Sequence, residues 1–531
     1  MFEYVIRGGE VLDGTGRPAV RADVAIASGR IARVGTIDEG ELPPPERVLD
    51  ASGCCVTPGF IDAHSHSDLT LLVHAAAESS LCQGITTEVA GSCGWSMYPY
   101  KAETGRGVLR GLLEGLTGSA SPDLGAWFSF ADYVSLLKSR GTGTNLYPIL
   151  GQSLVRAHVV GTAKRPATSE EVAAMRAIVR EAMANGCRGL STGRGYLPGG
   201  NANTDEIVAL CEEIAPFDGL YTSHVKNEGP GLIAAVEEVI EIGRRAGVKV
   251  QVSHHKAIGP ANFGRVEATL GLVERARQDG VDANSDVYPY DFAQVFRMRD
   301  GLFRNWLRHK PEEVLRRLSE QPGPDAHWAR AARRMLKSAD NYLLVRAPGR
   351  EEVEGLTITA ASADAGLDAI ELCRRLLLDT RLGVLIAARM CEDDVRRVLA
   401  HPLTMVGTDA FAIDGDAPPE VPLHPRHYGT FPRVAGHYAR DVGLFGLPEA
   451  VRKVTGLPAG KLGLVDRGRV APGCFADLVV FDPLRVRDRA TAGEPCARPE
   501  GISAVLVNGE VAWIDGRPSG ARAGMVLLGQ S

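Results

Sequence analysis

Gly59-Phe60-Ile61-Asp62-Ala63-His64-Ser65-His66 is an apolar strand that ends in His-x-His. Strand side chains alternate between faces with period two, so His64 and His66 point to the same side. Both imidazoles can then reach one metal ion, and Zn²⁺ is the commonest fit for imidazole. A strand that delivers metal ligands at its carboxyl end is a component of a parallel sheet whose carboxyl edge carries the site.

Working outward, the middle of the chain repeats a strand-then-helix rhythm. Short apolar runs at 60–61, 85–90, 147–150, 189–190, 220–223, 248–252, 283–287 and 404–407 are separated by helical stretches. Two of these, 169–185 and 231–246, carry apolar residues at three- and four-residue spacing. Strands alternating with helices in this way predict an α/β fold, a parallel sheet closed into a (β/α)8 TIM barrel. The stretch 291–350 is charged and helical and reads as an insertion over one face.

The two ends have a different texture. Segments 4–7, 10–12, 22–27 and 47–57 are short and β-rich, punctuated by glycine, and 477–481, 502–508 and 510–514 repeat that vocabulary. They are expected to fold together as a small β-sandwich. The expected organisation is therefore 1–57 with 466–531 as the small β-domain, and 58–465 as a metal-dependent barrel with its insertion at about 291–350.

Composition excludes several classes. At 44% hydrophobic and 23% charged, the chain of 531 residues is globular rather than disordered, collagen-like or coiled-coil. Net charge is −6 and no Lys/Arg run stands out, so no nucleic-acid partner is expected. No apolar stretch reaches the ~18 residues that cross a bilayer, and the nearest, 69–77, is interrupted by His74. The opening MFEYVIRGGEVLDG has early charges and no apolar signal core, so a cytoplasmic location is expected. Ten dispersed cysteines without a CxxC pair read as reduced thiols, most of them buried.

Further candidates sit at the ends of the other strands. Cys93 follows the run 85–90 between glycines, and a lone cysteine is more often core than ligand. His224 ends the run 220–223, His254-His255 follow 248–252, and Asp409 follows 404–407. Their shared placement at carboxyl ends is the argument, because barrel active sites are built there. Such a set can hold one or two divalent metals and leave a position for water.

These residues lie in PGFIDAHSHSD (58–68), GITTEVAGSCG (84–94), GLSTGRGYLPG (189–199), SHVKNEG (223–229), QVSHHK (251–256), DVYPY (286–290), HPRHYGTFPRV (424–434) and GLVDRGRVAPGCFADLVVFDP (463–483). Through them nearly the whole chain resembles the amidohydrolase superfamily, and within it the D-aminoacylase (N-acyl-D-amino-acid deacylase) family. The resemblance implies that Cys93, His224 and His254 hold a tightly bound zinc, and that His64, His66 and Asp409 form a second, weaker site. It implies that Lys256, Tyr288 and Arg426 grip the substrate α-carboxylate, with Tyr196 nearby. The chemistry expected is hydrolysis of a linear amide, the N-acyl group of an N-acyl-D-amino acid, with Asp409 as general base and then acid. The D preference comes from the resemblance and not from any residue.

Two alternatives stay open at this stage: a cyclic amide or imide hydrolase of hydantoinase or dihydroorotase type, and a non-catalytic barrel scaffold. Two stretches also depart from the family pattern. Gln152 stands where family members commonly have histidine, and 291–296 replaces a Ser/Thr-containing run with one that includes Gln294. Oligomeric state is not readable from the sequence.

Overall fold

The computed structural model describes residues 2–100, 103–117, 122–125, 127–302, 310–320, 327–415 and 421–530. Eight parallel strands form the barrel: β1 (Phe60–Ser65), β2 (Ile85–Ala90), β3 (Asn145–Pro148), β4 (Gly189–Gly193), β5 (Leu220–His224), β6 (Lys249–Val252), β7 (Ala283–Val287) and β8 (Thr404–Val406). Strand β3 resumes after Ile149 as Leu150–Gly151, and that step carries the pairing across to β4. The ring closes between β8 and β1. Ser65 bridges Ala410 in parallel, Asp409 N donates to His64 O at 2.8 Å and His66 N donates to Ala410 O at 2.7 Å.

The helices between strands form for local reasons. Thr168 and Glu171 make a capping box that starts Ser169–Ala184, which then buries Met175, Val179 and Met183. Leu232–Ala246 ends at Gly247 (φ 67°), a left-handed position that glycine takes at little cost. It lays Leu232, Val236, Val239 and Ile240 into the core.

The two ends do combine. Strands from Tyr4–Val11 to Cys55–Pro58 join Leu478–Phe481, Ile502–Val507, Glu510–Ile514 and Arg517–Pro518 in one sheet. This sheet closes over its own core of Ile6, Val24, Ile26, Val56, Leu478 and Leu506. The run expected as one strand over 47–57 is two, Val48–Asp50 and Cys55–Pro58, because Gly53 turns the chain at φ 77°. The last residues return to the barrel, where Gly524 bridges Thr142 and Val526 bridges Leu146.

The inserted segment runs further than 350. Phe292–Arg297 and Tyr342–Arg346 both pair antiparallel with Leu385–Arg389. Around this sheet, helices including Pro311–Glu320, Ile358–Ala365 and Ala369–Asp379 enclose a separate core of Leu318, Trp328, Ile358, Leu372 and Leu376. The charge-rich stretch gave no hint that an apolar strand beyond it would pair back. Among the described residues no helix is long and apolar enough to cross a membrane.

Candidate metal centre

Each candidate ligand stands at the carboxyl end of a barrel strand, His64 in β1 with His66 beside it, His224 at the end of β5, and Cys93, His254 and Asp409 just past β2, β6 and β8. Cys93 (φ 53°), His254 (φ 36°) and Asp409 (φ 51°) all have left-handed backbones. For residues other than glycine such a conformation costs of order 1–3 kcal/mol each, and it persists where the surroundings enforce it. Here His254 N donates to Asp286 Oδ1 at 2.7 Å and Asp409 N to His64 O at 2.8 Å. The strain turns three side chains inward at once.

They converge on one point. Cys93 Sγ lies 3.3 Å from His64 Nε2, 3.4 Å from His254 Nε2 and 4.0 Å from His224 Nδ1, and His224 Nδ1 is 2.9 Å from His254 Nε2. Asp409 Oδ1 lies 3.1 Å from His66 Nε2 and 3.5 Å from His64 Nε2. The donors form two groups, His64/His66/Cys93/Asp409 and Cys93/His224/His254, each with its ligand atoms within 4.8 Å of one another. Cys93 belongs to both. Zinc bonds of about 2.0–2.3 Å place neighbouring ligand atoms about 3.3–3.6 Å apart; the spacings here, 2.9–4.0 Å, bracket that range, and the N/S/O donor chemistry fits zinc.

Two carboxylates that the sequence reading did not single out brace these imidazoles. Asp286 Oδ1 is 3.3 Å from His64 Nδ1, and Glu228 Oε1 is 3.1 Å from His254 Nδ1. A metal-ligating histidine commonly holds its second nitrogen against a carboxylate, which fixes its tautomer and orientation. Both lie inside motifs already quoted, SHVKNEG and DVYPY. Glu228 follows the candidate ligand His224 by four residues, and Asp286 is the penultimate residue of β7.

Electrostatics prepare the anionic ligands. Burial alone would raise the Cys93 thiol, but the charges of His64 and His254 and the hydrogen bonds of His224 and His254 pull it well below its ordinary value. Burial opposes ionisation of Asp409 too, yet Arg426 and His254 hold it well below the usual carboxylate range. By contrast, desolvation pushes Cys55 and Cys373 up to about 12. Such thiols stay protonated and inert.

The expected substrate residues line the same cavity of about 450 Å³. Arg426 Nη1 is 2.7 Å from Asp409 Oδ2, its guanidinium lies 4.7 Å from the centre of the Tyr288 ring, and its Nε is buried without a hydrogen-bond partner among the described residues. Lys256 Nζ is 2.6 Å from Glu228 and 5.5 Å from the Tyr288 ring centre. The Tyr196 hydroxyl donates to the Cys93 carbonyl, and its ring stacks on Trp95 at 6.0 Å. His255 turns away, with Nε2 2.6 Å from Thr269 Oγ1, and is no ligand. Gln152 is buried beside the Arg156–Glu206 pair and outside the cavity lining, whereas Gln294 lines it.

An eight-stranded parallel barrel with histidine, cysteine and aspartate ligands at its carboxyl face has the architecture of a metal-assisted hydrolase. The chain belongs to the amidohydrolase family, whose model matches residues 47–512. It is 37% identical to a D-aminoacylase of Alcaligenes xylosoxydans xylosoxydans over 99% of this chain and 97% of that one. It is 36% identical to an N-acyl-D-glutamate deacylase of the same organism, over 99% and 96%. Among solved structures, a D-aminoacylase studied for its binuclear metal centre superposes with a TM-score of 0.79 at 35% identity, covering 100% of both chains. The N-acyl-D-glutamate deacylase of Bordetella bronchiseptica, in complex with zinc and a phosphonate mimic of the tetrahedral intermediate, matches with a TM-score of 0.77 at 33% identity over 99% of both. A D-hydantoinase at 15% identity and TM-score 0.53 shares the fold.

Proposed function

We propose that this protein hydrolyses the linear amide of N-acyl-D-amino acids, with Cys93, His224 and His254 holding a tightly bound zinc and His64, His66 and Asp409 forming a second, weaker site. The observation that carries the reading is Cys93, a buried cysteine shared by both donor groups and adjoining a cavity lined by Arg426 and Lys256. The D preference rests on the relatives, which are D-aminoacylase and N-acyl-D-amino-acid deacylases. Ten free cysteines suit a cytoplasmic location, where thiols stay reduced.

Zinc, when bound, supplies Lewis acidity that lowers the pKa of water toward ~7 and polarises the acyl carbonyl. The chain does the rest. Arg426, Lys256 and Tyr288 bind and orient the α-carboxylate. Asp409, ionised and aimed into the cavity, takes the proton of the attacking water and delivers it to the leaving amine nitrogen.

The deciding experiment is a panel of N-acetyl-D-amino acids, their L-enantiomers and hydantoins, run with zinc quantified per chain. Turnover of the linear D-substrates is expected; turnover of the cyclic compounds alone would overturn the proposal. A second test addresses the anchor. Charge-assisted hydrogen bonds are worth about 1.5–3 kcal/mol, so Arg426→Lys is expected to lower kcat/KM for N-acetyl-D-leucine by about 10- to 100-fold. The wild type should prefer this acid over its carboxamide analogue, and the variant should show a smaller preference.

A further inference from the structure

The proposed function fixes two points of the substrate: its carboxylate end and its scissile carbonyl. Lys256, Tyr288 and Arg426 follow β6, β7 and β8, so the carboxylate anchor occupies one half of the barrel mouth. The donor cluster lies in the middle. In an N-acyl amino acid the carbonyl carbon stands between the amino-acid part and the acyl chain. With the carboxylate on the β6–β8 side and the carbonyl at the centre, the acyl chain must run toward the opposite half, above β2 to β4.

That half is apolar. Trp95 and the helix Glu103–Thr117 follow β2, and Tyr196 and Leu197 follow β4. The helix turns Leu109 and Leu113, four residues apart, into the protein core, while Leu112 and Leu116, also four apart, line the cavity. Trp95 stacks nearly parallel on Tyr196, with 9° between the planes, and Leu197 is 51% exposed at the rim. An acetyl methyl group covers little of this surface, and a contiguous apolar patch at a cavity mouth marks a place where something apolar binds.

We infer that the compartment bounded by Trp95, Leu112, Leu116, Tyr196 and Leu197 is an acyl-chain subsite, and that the preferred substrates carry an aliphatic acyl group considerably longer than acetyl. The inference rests on the N-acyl amino acid reading, and the test separates the two. N-acetyl-, N-butanoyl-, N-hexanoyl- and N-octanoyl-D-leucine are assayed with zinc-loaded protein, together with N-acetyl-D-amino acids of increasing side-chain length. Each buried methylene is worth up to about fourfold, so kcat/KM should rise at least about tenfold from acetyl to hexanoyl. In Leu116→Asn, and independently in the rim variant Leu197→Asn, the hexanoyl-to-acetyl ratio should fall toward one. Circular dichroism and zinc content would show that each variant is folded.

If acetyl-D-leucine is hydrolysed but the acyl series is flat or falling, the subsite is refuted and the deacylase reading stands. The same holds if kcat/KM follows side-chain length and ignores acyl length. If no acyl length is cut by protein that holds zinc, both readings fail together.

Discussion

Replacing Cys93 by alanine is expected to strip the tightly bound zinc and reduce turnover to background. The thiolate is the one ligand atom common to both donor groups, so its removal leaves His224 and His254 alone in one of them and His64, His66 and Asp409 in the other. Loss of a residue that merely braces a ligand already costs about 10- to 100-fold in metal affinity or activity, and losing the shared ligand should exceed that. Its removal also takes one of the compensating anions from a buried histidine cluster. The measurement is zinc per chain after dialysis against a weak chelator, paired with deacylation of N-acetyl-D-leucine. Cys93→Ser keeps nearly the same volume and separates a packing defect from a lost ligand. A Cys93→Ala protein that keeps one zinc per chain and near-native turnover would remove the thiolate from the centre.

How far the site was legible depended on which residues obey local periodicity. His64 and His66 could be read directly, because the alternation of a strand fixes their common direction. Cys93, His254 and Asp409 could be placed only at the right edge of the sheet. Nothing in strand periodicity specifies the left-handed turns that aim them inward, with φ of 36–53°. Glu228 and Asp286 went unseen because they touch imidazoles rather than metal, so no ligand spacing marks them. The barrel was legible from its alternating rhythm, and the mixed β-domain from the shared vocabulary of the two ends. The inserted sheet was not, since Leu385–Arg389 meets its partners across long charged helices and no local pattern records a pairing that distant. Gln152, which departs from the family pattern, is buried beside Arg156 and Glu206 and outside the cavity lining.

Asp409→Asn should divide chemistry from metal binding more cleanly than any other substitution. The amide is nearly isosteric with the carboxylate but cannot take a proton from water at neutral pH, so general base catalysis, worth about 10²–10⁴-fold, is lost. The Cys93/His224/His254 group does not include Asp409, so the tight zinc should stay bound. Arg426 complicates the expectation in an informative way. In the wild type it pairs with Asp409 Oδ2 at 2.7 Å, and an uncharged asparagine releases it from that ion pair. A freed guanidinium binds a substrate carboxylate at least as well, so KM should hold or fall while kcat drops by about 10²–10⁴-fold. A variant in which the metal, and not the base, had been lost would show the reverse, with zinc content falling alongside activity. The assay therefore reports kcat, KM and zinc per chain on one preparation, and near-native kcat in Asp409→Asn would transfer the role of base to another group.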